Sequence, residues 1–141
     1  KASDVKDIGA DQTIDRDADL VKELGEGSMD AVVDLVAGDQ WPSYLDVLRR
    51  GGKYVTAGAI AGPIAQIDVR TLYLKDLTLY GCTFQDDGVF ENLVAYIEAG
   101  EVRPVVAKTY PLSDIAKAQE DFLSKGHTGK LVLVPPQGGL S

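Results

Sequence analysis

Cysteine and histidine are nearly missing: Cys82 is the one thiol and His127 the one imidazole in 141 residues. That excludes a disulfide within the chain and any zinc site built from several of its own cysteines, and it fits a reducing compartment. Cations are outnumbered, 14 Lys and Arg against 22 Asp and Glu, for a formal charge of -8 and a pI near 4.5. Such a balance argues against nucleic acid or an anionic membrane as partner, because both reward clustered Lys and Arg. Long apolar runs are absent too; none approaches the roughly 18 to 20 residues that span a bilayer. The opening Lys1-Ala-Ser-Asp carries no apolar signal segment. The expectation is a cytoplasmic protein with small soluble partners.

What is present is globular: 45% hydrophobic residues with 26% charged, at the length of one ordinary domain. The chain opens on Lys1, with no Met, in what reads as a helix, since Ala2, Val5 and Ile8 share a face and Gly9 can cap it. It reads as the interior of a larger sequence. An extended piece, Gln12 to Asp15, precedes a helical stripe of Leu20, Val21 and Leu24 stopped by Gly25. Ala31 to Val36 is a continuous apolar strand, as expected where helices cover both sheet faces. Asp39 can cap the next helix, which carries Trp41, Leu45 and Leu48 on one face and ends at Gly51-Gly52, so that Arg49-Arg50 suits its C-terminus.

Lys53 to Ala57 is a second strand, followed by a loop from Gly58 to Gln66, a helical turn around Val69 to Leu74, and a third strand, Leu77 to Tyr80. A longer helix runs from about Gly88 to Ala99, with Val89, Leu93, Val94 and Ile97 inward, and Asp86-Asp87 suits its N-terminus. Val105 to Tyr110 is extended, Ser113 caps a helix with Ile115, Ala118, Phe122 and Leu123, and Lys130 to Val134 is the last strand. Strands alternating with helices predict an α/β fold with a mainly parallel sheet. Ligands of such sheets bind beyond the carboxyl ends of the strands, and tiny residues cluster there, at Ala37-Gly38 and Gly58-Ala59.

Seven phrases in register carry a resemblance over nearly the whole chain: Ile8-Gly-Ala-Asp11 with Thr13-Ile-Asp15, Asp30 to Asp34, Leu48 to Val55 with Gly58, Leu77-Thr-Leu-Tyr-Gly81, Ala99-Gly100 before Pro104, Tyr110-Pro-Leu112, and Gly129 to Pro135. Together they resemble the C-terminal half of the medium-chain dehydrogenase/reductase family, the zinc-type alcohol dehydrogenases and quinone oxidoreductases. The resemblance implies an incomplete Rossmann-like parallel sheet that lacks the first two strands and the Gly-rich turn. It assigns residues 1–84 to a partial nucleotide-binding domain, 85–136 to a segment that in the family joins the catalytic domain, and 137–141 to a tail. Gln12 to Asp15 would then be the third strand of the order 3-2-1-4-5-6, separated by a gap from Ala31 to Val36 and leaving apolar edges.

The same resemblance implies a parent oxidoreductase that moves a hydride between a nicotinamide cofactor and a carbonyl, enone or quinone, NADP(H) rather than NAD(H). Lys1 falls where NADP users set a lysine against the adenosine 2′-phosphate, and Lys130 where a basic residue faces the phosphates. Leu35, Val36, Ala37 and Gly38 match the contact toward adenosine. Gly58, Ala59 and Ile60, with Cys82, Thr83 and Phe84, match the loops whose backbone holds the nicotinamide carboxamide. No catalytic residue and no metal ligand is assigned to this chain; zinc, where the parent uses it, belongs to sequence outside it. Homodimers of the family pair the strand that here is Leu77 to Gly81.

Bland readings stand beside these. Cys82, with no partner, is expected to be a small, partly buried thiol, and His127 an exposed turn residue. Asp34, closing an apolar strand, is a strand-end hydrogen-bond acceptor. A non-catalytic regulatory or nucleotide-binding α/β module is the alternative function, but a receiver domain wants an acidic pair after its first strand, which Gly9-Ala-Asp11 does not supply.

Overall fold

The computed structural model describes residues 2–136. In chain order the helices are α1 (Ala2–Asp7), α2 (Leu20–Leu24), α3 (Trp41–Val47), α4 (Val69–Leu74), α5 (Asp87–Glu98) and α6 (Ile115–Ser124). The strands are β1 (Met29–Asp34), β2 (Leu48–Thr56), β3 (Thr78–Gly81), β4 (Val106–Pro111) and β5 (Lys130–Val134). They make two sheets, a three-stranded one in the order β1-β2-β3 and a two-stranded one of β4 and β5, and every pairing is parallel. The α/β class and the parallel sheet are therefore as the alternation of the sequence implies. Two compact units contain them: residues 14–86, and residues 2–13 with 87–136.

In the unit of residues 14–86, α3 packs on β2 and lays Leu45 over Leu48 and Tyr54, all at most 1% exposed. Met29, Val32, Trp41 and Leu77 close around them, and Trp41 meets the Tyr54 ring edge-on at 5.3 Å. Lys75 finishes α3 from a distance in sequence: its Nζ donates to the carbonyls of Leu45 (3.3 Å), Asp46 (2.7 Å) and Leu48 (3.1 Å), where a cation complements the helix dipole.

Several expectations are corrected. Gln12 to Asp15 is in no strand, because a strand needs a ladder partner and neither sheet supplies one. The other three strands are contiguous, with β1 at an open edge. The helix after Asp39 ends at Val47, and the chain enters β2 directly. Arg49 to Gly52 bulge from the ladder, since Leu48 pairs with Met29 but Lys53 with Ala31. Arg49 and Arg50 thus sit in β2, ion-paired with Asp30 and Asp76, rather than at a helix end. β1 is covered on one face only: Asp34 is 3% exposed while Val33 is 72% exposed.

In the other unit, α6 packs on β4 and β5, and Ala118 of α6 and Tyr110 of β4 are buried. Ser113 does not cap α6; its hydroxyl donates to Asp114 within the 3₁₀ turn Leu112–Asp114. The face of α5 expected inward is not enclosed: Val89, Leu93 and Val94 are exposed. Periodicity tells which side of a helix is apolar and not whether anything covers it.

Candidate functional site

The carboxyl end of the three-stranded sheet is organised by one buried acid. The Asp34 carboxylate accepts from the Val36 N–H (2.8 Å), the Ala37 N–H (3.0 Å) and the Tyr54 hydroxyl. Burial alone would raise its pKa, but the Tyr54 hydroxyl and the two amides outweigh that and hold the carboxyl below the usual carboxylate range. Burial, reinforced by the Asp34 charge, pushes the Tyr54 phenol up to about 12. Asp34 is thus a strand-end acceptor, as its place in the sequence suggests, and its work is to fold the turn. That turn is tight: Ala37 adopts φ 55°, uncommon for a residue with a Cβ, and Gly38 follows at φ 79°.

Backbone bonds bring the next loop against it. The Ala57 N–H donates to the Asp34 carbonyl (3.0 Å) and the Ala61 N–H to the Val36 carbonyl (2.9 Å). A Cβ at Gly58 would lie 2.6 Å from the Leu35 carbonyl oxygen, and one at Gly38 would lie 2.9 Å from the Ala61 Cβ. Glycine is what allows both approaches. The third loop follows β3: the Cys82 N–H donates to the Thr56 carbonyl at 2.8 Å and extends the ladder. Of Cys82's backbone groups the carbonyl, rather than the N–H, is then left to meet a ligand.

Ten of the twelve expected cofactor residues, Leu35 to Gly38, Gly58 to Ile60 and Cys82 to Phe84, therefore lie at one edge of one sheet. Leu35, Ile60 and Phe84 present apolar side chains there, 59%, 88% and 84% exposed. Lys130 belongs to the other unit, where it opens β5 opposite Val106 and is exposed. Lys1 lies outside the described residues. Cys82 is exposed rather than partly buried, because β3 is an edge strand with all four residues open. His127 is half-covered rather than exposed, tilted against the Phe122 ring at 6.0 Å. No cluster of metal-binding side chains occurs among the described residues. None of their helices is long and apolar enough to cross a membrane.

Sequence reading missed the cleft beside this turn, about 380 Å3, where Val36, Ala37 and Ala61 face Ile14 to Asp17 and Tyr44. Gln40 ties its two sides by donating to the Arg16 carbonyl at 2.6 Å. The one signal for it was the polar run after Ile14. A larger cleft, about 700 Å3, lies in the other unit along Tyr110 to Ser113 and Val134 to Pro136, and none of the expected site residues lines it.

The fold agrees with the comparisons to known proteins. The family model for zinc-binding dehydrogenases matches residues 8–133. A quinone oxidoreductase of Sus scrofa is 32% identical over 125 residues, covering 82% of this chain and 36% of its own length. An NAD-dependent alcohol dehydrogenase of Sulfurisphaera tokodaii is 31% identical over 137 residues, covering 92% of this chain and 39% of its own. Among solved structures, a provisionally named alcohol dehydrogenase from Sinorhizobium meliloti 1021 superposes with a TM-score of 0.79 at 44% identity, over 96% of this chain and 39% of the other. The chain spans little more than a third of the length of these relatives.

Proposed function

This chain belongs to the zinc-binding dehydrogenase family, and from that premise we propose that it is the C-terminal, cofactor-binding part of an NAD(P)H-dependent oxidoreductase acting on a carbonyl, enone or quinone. The cofactor, when bound, supplies the hydride chemistry at its nicotinamide ring. The chain's own residues hold and orient it. Leu35 to Gly38 contact the adenosine side, and the backbone of Gly58 to Ile60 and of Cys82 to Phe84 holds the carboxamide and so selects the ring face offered to substrate. For Lys130 and Lys1 the role toward phosphate, and with Lys1 a preference for NADP(H), rests on the family resemblance alone. No catalytic residue is assigned within this chain, and any zinc is held by sequence outside it.

The observation that supports this reading most is the convergence of three loops at the carboxyl ends of β1, β2 and β3, built from small residues and exposed apolar tips. A flat ligand with amide groups suits such an edge, since backbone donors and acceptors recognise it without reactive side chains. Titration of the protein that carries this chain with NADH and NADPH, followed by cofactor fluorescence, is expected to give saturable binding; a flat response to both would sink the proposal. The open edge of β3 also supports a homodimer paired through Leu77 to Gly81. Leu79 and Tyr80 are exposed along it, at 36% and 46%.

A further inference from the structure

We infer that Tyr54 is a positioning residue for the cofactor: from inside the core it acts through Asp34 on the turn Val36 to Gly38, so that a side chain shut away from any ligand sets cofactor affinity. This rests on the dinucleotide reading above and adds to it a residue that belongs to none of the three loops. Tyr54 is 0% exposed, packed with Leu45 and Leu48. Its hydroxyl donates to Asp34 Oδ2. Asp34 Oδ1 is thereby aimed at the turn, accepting from the Val36 N–H at 2.8 Å and the Ala37 N–H at 3.0 Å, while the same Ala37 N–H lies 3.1 Å from Oδ2. The terminal torsion of an aspartate is soft. The phenol therefore fixes the plane of the carboxylate, and the carboxylate fixes the turn.

The turn needs that hold. Ala37, at φ 55° and ψ -143°, occupies a region that a residue with a Cβ keeps only where its surroundings impose it. Two clamps impose it: Asp34 on the Ala37 amide, and the Ala61 N–H on the Val36 carbonyl at 2.9 Å. Only the first leads back to the core. Asp34 is 3% exposed, so a donor removed from it leaves a buried oxygen short of a partner. The same face of β2 also ties the second loop, because Thr56, two residues beyond Tyr54, donates to the Gly58 carbonyl at 3.3 Å.

Tyr54→Phe keeps the ring in the core and removes only the hydroxyl. In the whole protein that carries this chain, it should raise the dissociation constant of whichever of NADH and NADPH binds tighter by about tenfold, the effect of one hydrogen bond lost from a buried charge. It should also raise the cofactor KM by more than it lowers kcat. Because Tyr54 acts through Asp34, adding Tyr54→Phe to Asp34→Asn should cost little more than Asp34→Asn alone. Hydrogen exchange in the cofactor-free protein supplies a readout that a general loosening would not give. The Val36 and Ala37 amides should quicken about tenfold in Tyr54→Phe, whereas the Cys82 amide, bound to the Thr56 carbonyl, should keep its rate. An unchanged dissociation constant in Tyr54→Phe, losses that add in full in the double variant, or equal quickening at Cys82 would overturn the inference and leave the dinucleotide reading standing. Binding of neither dinucleotide by the unaltered protein would remove both.

Discussion

The two units treat their apolar residues differently. Residues 14–86 enclose Leu45, Val47, Leu48 and Tyr54 at 1% exposure or less, under α3 and against a sheet of three strands. The unit of residues 2–13 and 87–136 buries only Tyr110 and Ala118 among its described hydrophobic residues, and leaves Phe90 71% and Leu123 73% exposed. A three-stranded sheet with a helix across one face can shut side chains away from water; two strands with one packed helix cover far less. The lesson is functional as well as energetic. The unit with the better core is the one that fixes the turn at Asp34 and so holds three loops in place.

Substitutions should expose this contrast in order of size. Leu45→Ala removes a fully enclosed side chain and is expected to cost about 2–5 kcal/mol, whereas Leu123→Ala, at a position 73% exposed, should stay within about 0.5 kcal/mol. Urea unfolding of both variants measures the ratio, and equal losses would erase the distinction between the units. Asp34→Asn comes next. It weakens charge-assisted bonds from two amides and a phenol, for about 1–3 kcal/mol. Because the folded carboxyl sits below its ordinary value of 3.8, its contribution is full above that value and fades as the pH falls through the folded pKa. Acid unfolding followed by circular dichroism should show a shallower loss of stability below the ordinary value in Asp34→Asn than in the unaltered protein; parallel curves would mean Asp34 is not the group that titrates. Leu79→Lys, on the open strand β3, should barely move the urea midpoint. It should instead lower the oligomer mass seen by light scattering, and an unchanged mass would count against pairing through that edge.

Much of this was legible along the chain. β5 runs from Lys130 to Val134 and α4 from Val69 to Leu74 as their patterns suggest, and Asp34 behaves as a strand-end acceptor. Local signals suffice where the next few residues decide the outcome. They fail where the decisive partner is remote. Lys75 reaches back 27 to 30 residues to the end of α3, and nothing near it in sequence announces this. Arg49 to Gly52 look like a helix terminus but bulge from β2, because Gly51 and Gly52 permit a turn that the strand then resumes. Val89 and Leu93 mark an apolar helix face, yet what covers that face is a tertiary fact. The candidate site divides the same way: small residues after each strand flagged the loops, whereas the cleft beside the turn depends on Ile14 to Asp17 meeting Val36 and Ala37 in space.

The central claim is that a nicotinamide dinucleotide lies across the ends of β1, β2 and β3. Amide chemical shifts of the isotopically labelled protein, recorded as NADH is added, test it residue by residue. Shifts concentrated at Val36, Ala37, Gly58 and Thr83 are the predicted result. Saturable shifts confined to residues 87–136, with those four amides unmoved, would contradict it.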